Sequence, residues 1–121
     1  MRKVYLDHTA TTPLDPEVFE AMRPYFIEKF GNASSIHQFG QETRAALDLI
    51  RDTIAREIGA QSGEIIFVSG GTEADNFAIK GTASKMRELS GKNHIITSKT
   101  EHHAVLETCH FLKLHGFDVT C

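Results

Sequence analysis

Two adjacent glycines and a threonine stand where a strand-like run changes into a helical pattern. The run is residues 64–68 (EIIFV), the turn is Ser69-Gly70-Gly71-Thr72, and the helical pattern begins near Thr72. Glycines let a backbone approach a ligand closely, and the start of a helix presents free N–H groups with positive partial charge. Ligands of open α/β sheets bind beyond the carboxyl ends of the strands. The turn therefore favours a site for a single phosphate group.

The same residues also fit a purely structural role. Thr72 and Asp75 have the spacing of a capping box. Glu73 and Asp75 place negative charge in the first turn, which favours the helix but opposes a bound anion. The pattern is neither G-x-x-x-x-G-K-[ST] nor G-x-G-x-x-G, so a nucleotide site is not predicted. Local sequence alone leaves phosphate binding and simple capping open.

The histidine pair His102-His103 is the second candidate for chemistry. It follows a predicted strand at residues 93–98, so it falls on the same edge of the predicted sheet as the glycine turn. An imidazole there could stack on a flat ligand or transfer protons, or it could simply cap the next helix or lie in solvent. A metal site is not predicted: His103 and His110 share a helix face, but no carboxylate or cysteine completes a ligand set.

Composition narrows the class of protein. The 121 residues are 40% hydrophobic and 24% charged with a net charge of −3, which is typical of a soluble globular protein and argues against a nucleic-acid partner bound through a basic face. No apolar run reaches the roughly 20 residues of a membrane helix, so no membrane partner is predicted. Two cysteines form no disulfide framework and no signal peptide is evident, which indicates a cytoplasmic protein.

The order of predicted elements indicates an α/β fold. Asp15-Pro16 is a good helix start, Pro24 should kink or shorten that helix, and Gly59 suits the end of the next one. The other predicted helices and strands are helices 41–58, 72–89 and 104–115 and strands 64–68, 93–98 and 117–121. Strands that alternate with helices imply βαβ units and a mostly parallel sheet flanked by helices.

The chain ends inside its last predicted strand. We therefore expect these residues to be a fragment of a larger protein or one piece of an assembly, because an unfinished sheet leaves its edges open. Alone, such a fragment is expected to unfold easily or to associate.

Four ordered motifs resemble the amino-terminal part of the NifS-like cysteine desulfurases. They are residues 5–13 (YLDHTATTP), 31–37 (GNASSIH), 69–76 (SGGTEADN) and 100–105 (TEHHAV). These enzymes belong to the class V aminotransferase group and depend on pyridoxal phosphate. The resemblance implies part of the large domain of a type I pyridoxal-phosphate-dependent transferase. Residues 1–14 would belong to the smaller domain or the substrate side, and residues 15–121 would be the first, incomplete part of the cofactor-binding domain.

The resemblance also implies roles for single residues. Gly71 and Thr72 would bind the phosphate of pyridoxal phosphate. His102 would be catalytic, stacking on the pyridine ring and helping to move protons. The segment Ala10-Thr11-Thr12 would lie on the substrate side of the pocket, with a plain turn as the alternative.

The implied activity of the intact protein is removal of sulfur from L-cysteine, giving L-alanine and an enzyme persulfide. The sulfur would pass to an acceptor or scaffold protein for iron–sulfur cluster assembly or transfer-RNA thiolation, and the intact enzyme would be a homodimer. The family's cofactor-binding lysine and nucleophilic cysteine match no position here, so residues 1–121 alone are expected to be inactive. The alternatives are a selenocysteine lyase, another class V enzyme, or a non-catalytic truncated module.

Overall fold

The computed structural model describes residues 3–121, which fall into two compact units. The first unit ends at Ile65 and the second is Ile66–Cys121. Residues 1 and 2 of the predicted segment 1–14 lie outside the described residues. The predicted division between residues 1–14 and 15–121 stays a prediction.

The first unit contains two helices, and both form where the local signals placed them. Helix α1 is Pro16–Ile27; the Asp15 side chain accepts a hydrogen bond from the Glu17 N–H at 2.8 Å, so Asp15 is the N-cap. The Pro24 carbonyl then accepts from the N–H groups of residues 28 and 29, and the helix ends. Pro24 thus lies in the last turn of α1, and the helix is short, as the sequence predicted.

Helix α2 is Gln38–Ile58 and begins earlier than predicted. His37 is its N-cap, with Nδ1 accepting from the Gly40 N–H at 3.4 Å. The helix ends at the predicted glycine, because Gly59 takes the left-handed conformation with φ 70°.

The second unit contains two more helices and a parallel sheet. Helix α3 is Gly71–Ser90, strand β1 is His94–Ile96, helix α4 is His103–Leu114 and strand β2 is Asp118–Thr120. The strands pair in parallel with Ile95 opposite Val119, and α4 is the crossover between them. Helix α3 packs against α4, and α4 packs against β2. The predicted α/β class, with a parallel sheet flanked by helices, is confirmed.

The predicted strand at residues 64–68 is wrong in this structure. Residues Ser62–Glu64 form a 3₁₀ turn, closed by the Glu64 carboxylate accepting from the Gln61 N–H at 2.7 Å. Ile65 has extended dihedral angles, but the sheet within residues 3–121 pairs only β1 with β2. The reason is that a strand needs a partner, and the local β propensity of this segment does not supply one.

The core of the second unit is formed mainly by the buried face of α4. Its buried apolar side chains are Ala104, Cys109, Leu112 and Phe117. Cys109 is 3% exposed, and burial raises the pKa of its thiol. Cys109 is therefore a core residue, as predicted. Across residues 3–121, no helix combines the length and apolar character needed to cross a membrane.

Arg87 ties the end of α3 to the segment before β2. Its guanidinium lies 3.9 Å from the Phe117 ring centroid, and it donates a hydrogen bond to the His115 carbonyl at 3.2 Å. These contacts help to hold α3 beside α4, which matters because the two helices carry the candidate site.

The close approach of α2 to the preceding loop gives a test of the first unit. A Cβ added to Gly40 would lie 2.7 Å from the Asn32 carbonyl oxygen and closer still to the Ser35 carbonyl oxygen. Gly40→Ala should lower the free energy of unfolding by about 1–3 kcal/mol, because backbone must move to admit the methyl group.

Gly81→Ala is the matched control, since Gly81 is also helical but an added Cβ meets nothing within 4 Å. It should raise the free energy of unfolding by about 0.5–1 kcal/mol through helix propensity. Denaturant unfolding of both variants measures this. Equal effects of the two substitutions would contradict the packing described for Gly40.

Candidate functional site

No side chain caps the N-terminus of α3. Its N-cap is Gly70, which makes no side-chain hydrogen bond, and the first helical bond runs from the Ala74 N–H to the Gly70 carbonyl at 3.0 Å. The N–H groups of Gly71, Thr72 and Glu73 precede that bond and have no acceptor within the helix. The terminus therefore presents polar hydrogens and the positive end of the helix dipole.

The carboxylate of Glu73 turns back to Ser69, the residue before the N-cap. It accepts from the Ser69 N–H at 2.6 Å and from the Ser69 hydroxyl at 2.7 Å. These bonds, the backbone one first, hold the pKa of Glu73 below its ordinary value. The alternative interpretation, a capping box of Thr72 with Asp75, is wrong, because Gly70 is the N-cap and the carboxylate that turns back is that of Glu73.

His102 caps the other helix of the site. Its Nδ1 accepts from the Ala104 N–H at 3.1 Å, so His102 is the N-cap of α4. An Nδ1 that accepts leaves the proton of a neutral imidazole on Nε2. The capping role that the sequence left open for the histidine pair is thus confirmed for His102, and it fixes which ring nitrogen is available to a ligand.

One cavity brings Thr72 and His102 together. It measures about 420 Å³, within the range of about 300–1,000 Å³ usual for small-molecule sites. Its walls come from α3 and from the start and first turns of α4. The lining residues are Thr72, Asn76, Lys80, His102, His103, Ala104, Glu107 and Thr108. Two residues predicted from different motifs therefore share one hollow within the second unit.

Asn76, Lys80, Glu107 and Thr108 line the cavity but were not predicted as site residues from the sequence. Thr72, Asn76 and Lys80 recur every four residues along α3, and Ala104 and Thr108 do so along α4. Such spacing places side chains on one face of a helix, and this was the signal that could have found them. Asn76 Nδ2 donates to the Thr72 carbonyl at 2.9 Å.

Lys80 brings positive charge to the same wall. Its Nζ lies 4.3 Å from the centroid of the Phe111 ring, a cation–π contact with α4. The cavity lining thus carries one charge of each sign, Lys80 from α3 and Glu107 from α4, and the helix N-terminus at Thr72 is the feature that suits an anionic ligand.

Gly71 lies beside this cavity without lining it. It is the first residue of α3, adjacent to Thr72. A Cβ added there would meet no atom within 4 Å, so the space next to its backbone is open. Gly71 can therefore offer a ligand its backbone amide but no side chain.

The segment Ala10-Thr11-Thr12 belongs to the first unit; Ala10 ends a turn at residues 8–10, and Thr11 and Thr12 follow it without regular secondary structure. The Ala10 N–H donates to the Asp7 carbonyl at 3.2 Å, and Tyr5 donates its hydroxyl to the Thr11 carbonyl at 3.0 Å. Thr12 Oγ1 lies 3.0 Å from a ring nitrogen of His8. The substrate-side role of this segment stays a prediction. Among residues 3–121, no cluster of three or more histidine, cysteine or acidic side chains is placed to hold a metal ion.

The family model for class-V aminotransferases matches residues 4–121. The chain belongs to the class-V aminotransferase family. A relative from Dictyoglomus turgidum, named cysteine desulfurase IscS, is 63% identical over 119 residues, which is 98% of this chain and 30% of the relative. A Bacillus subtilis relative, named putative cysteine desulfurase IscS 1, is 58% identical over 99% of this chain and 31% of its own length.

Solved structures agree with this class-V aminotransferase assignment. A protein described as NifS-like superposes with a TM-score of 0.89 at 38% identity, over 98% of this chain and 32% of that one. A structure described as SspA in complex with cysteine gives a TM-score of 0.84 at 43% identity, over 96% of this chain and 33% of that one. The chain thus spans about a third of the length of these proteins.

The contact between Glu73 and Ser69 gives a prediction for pH dependence. Because the pKa of Glu73 is lowered in the folded state, its contribution to stability is present above the unfolded pKa of about 4.3 and is lost as the pH falls through the folded pKa. The stability difference between wild type and Glu73→Gln should therefore be largest near neutral pH and vanish in strong acid.

Unfolding curves across pH measure that difference, and a carboxyl titration by NMR measures the pKa itself. Ser69→Ala is the matched variant: it removes the hydroxyl donor, keeps the backbone donor, and should raise the pKa of Glu73 part of the way to its ordinary value. A stability difference that is the same at every pH would contradict the contact.

Proposed function

We propose that this chain supplies the phosphate-holding and ring-stacking part of a pyridoxal-phosphate-dependent cysteine desulfurase. The observation that carries the proposal is the shared cavity of Thr72 and His102. The activity belongs to the whole protein, of which the chain corresponds to about 30% by comparison with the curated relatives.

The residues present fit the cofactor. The open start of α3 suits a phosphate, and the carboxylate of Glu73 in the first turn is bonded to Ser69 rather than lining the cavity. The carboxylate that does line the cavity is that of Glu107, on the α4 side and not at the start of α3. Lys80 adds a positive charge to the wall, and His102 adds a flat ring. When bound, pyridoxal phosphate supplies an electron sink that lets bonds of an amino-acid substrate break.

The chain's own residues would hold the cofactor and orient its ring. The amides of Gly71 and Thr72, together with the Thr72 hydroxyl, would bind the phosphate. The His102 ring would stack on the pyridine ring. Because the Ala104 N–H occupies Nδ1, Nε2 is the His102 atom that would give or take a proton.

The proposed substrate is L-cysteine. Its support is the cysteine desulfurase name of the relatives and the cysteine complex among the similar structures. The sulfur would leave as a persulfide on an enzyme cysteine, with L-alanine as the other product. Cys109 does not suit that nucleophile, because it is buried and its pKa is raised. Ala10, Thr11 and Thr12 are proposed to lie on the substrate side.

The proposal extends to the cellular role. The sulfur would pass to an acceptor or scaffold protein for iron–sulfur cluster assembly or transfer-RNA thiolation, in the cytoplasm, from a homodimeric enzyme. The support is the resemblance of the motifs and the IscS name carried by the relatives.

Variants of His102 in the full-length protein test the proposal. His102→Ala should weaken cofactor binding and slow alanine and sulfide formation from L-cysteine by roughly 10²–10⁴-fold, since both stacking and proton transfer are lost. His102→Phe should bind the cofactor but remain slow, because the ring stays and the proton donor does not.

His110→Ala is the matched control, since His110 is an exposed histidine of the same helix and does not line the cavity. Its activity should equal that of wild type. If His102→Ala were as active as His110→Ala, the proposed role would be wrong. Selenide release from selenocysteine without turnover of cysteine would favour a selenocysteine lyase, and cofactor binding without turnover of either would favour a non-catalytic module.

A further inference from the structure

Strand β1 has a partner on one edge only. The Thr97 N–H donates to the Thr120 carbonyl at 2.9 Å, and the Asn93 carbonyl accepts from an N–H of β2 at 2.9 Å, so these groups point towards β2. Successive residues of a parallel strand direct their backbone groups to opposite edges. The N–H and carbonyl groups of His94 and Ile96 therefore point to the other edge. Within the part of the chain that the structure describes, no strand of the sheet lies there.

An apolar hollow lies beside this free edge. It measures about 480 Å³ and is lined from α3 by side chains that include Ile79, Ala83 and Met86, and from β1 by His94 and Ile95. Neither α4 nor β2 contributes a residue to the lining, so the hollow lies on the side of β1 that faces away from β2. It also shares no lining residue with the cavity of the candidate site.

The other strand-like segment of this unit does not fill the place. Residues 66–68 belong to the second unit and have high β propensity, but they lie outside the sheet. Parallel sheets normally extend over several strands and have both faces covered. The chain corresponds to 30% of the Dictyoglomus turgidum relative, so more than two-thirds of a protein of that length lies outside it. That remainder is long enough to supply the missing strand.

We propose that a β-strand from the part of the full-length protein outside residues 1–121 pairs with the free edge of β1. Its backbone forms hydrogen bonds with the N–H and carbonyl groups of His94 and Ile96. Every second side chain of this strand faces α3, and an apolar one fills the hollow.

A strand matches this surface better than a small molecule does. An open sheet edge presents backbone donors and acceptors at the spacing of another strand, and the neighbouring hollow receives a side chain of that strand. The inference concerns how the sheet is completed, so it holds for any reaction that the full-length protein catalyses.

Backbone amide exchange in the full-length protein tests the proposal. Thr97 is the reference, because its N–H is already bonded to β2. The protection factors of the His94 and Ile96 amides should lie within about tenfold of that of Thr97, because both edges of β1 are then paired. Protection of His94 and Ile96 that is weaker than this would overturn the proposal, since it would leave the edge open to water.

A substitution in the hollow gives an independent readout. Ala83→Lys in the full-length protein places a charged side chain where the apolar one would pack. It should lower the thermal midpoint by about 3–10 °C and weaken the protection of His94 and Ile96. Ser84→Lys is the matched control, because Ser84 is an exposed neighbour on α3 that does not line the hollow. Its midpoint and protection should match those of wild type.

Other occupants would give different results. A second copy of the protein on this edge would make the protection of His94 and Ile96 fall on dilution. A small molecule in the hollow would leave these two amides exposed. Either result would overturn the proposal, as would equal effects of Ala83→Lys and Ser84→Lys. If Ala83→Lys does not fold, the exchange of the wild-type amides still decides the question.

Discussion

The first turn of α3 has amide groups with no acceptor inside the helix, and the site is organised around them. Gly70 has no side chain that could cap the turn, and Glu73, which could have placed its charge there, is bonded to Ser69 instead. A helix start left open in this way carries a standing attraction for an anion. Unpaired N–H groups are unfavourable in the empty protein. A phosphate bound at this terminus would accept hydrogen bonds from them, and these bonds would contribute to its affinity.

Packing places that open terminus beside the cavity of the candidate site. Helix α4 is anchored by its buried face, and the bond from the Ala104 N–H to His102 fixes the imidazole at the start of the helix. Because α3 packs directly on α4, Thr72 and His102 reach the same cavity although 30 positions separate them in the numbering. Core and site are therefore coupled: a change that moves α4 on the sheet moves His102 relative to Thr72.

Local signals predicted the helices well. An aspartate before a proline marked the start of α1, and Gly59 marked the end of α2, because capping depends on a few neighbouring residues. The strand at residues 64–68 was wrong because pairing is not a local property. For the candidate site, motif resemblance predicted Thr72 and His102, and the two residues line one cavity. The capping box predicted from Thr72 and Asp75 was wrong, because the carboxylate that turns back is that of Glu73, which is bonded to Ser69.

The central claim is that the open helix start and the imidazole serve one bound molecule. A crystal structure of the full-length protein with pyridoxal phosphate tests it most directly. The account predicts the phosphate within hydrogen-bond distance of the Gly71 and Thr72 amides, with the His102 ring stacked on the pyridine ring. A phosphate bound elsewhere, with those amides facing solvent and His102 away from the cofactor, would contradict it.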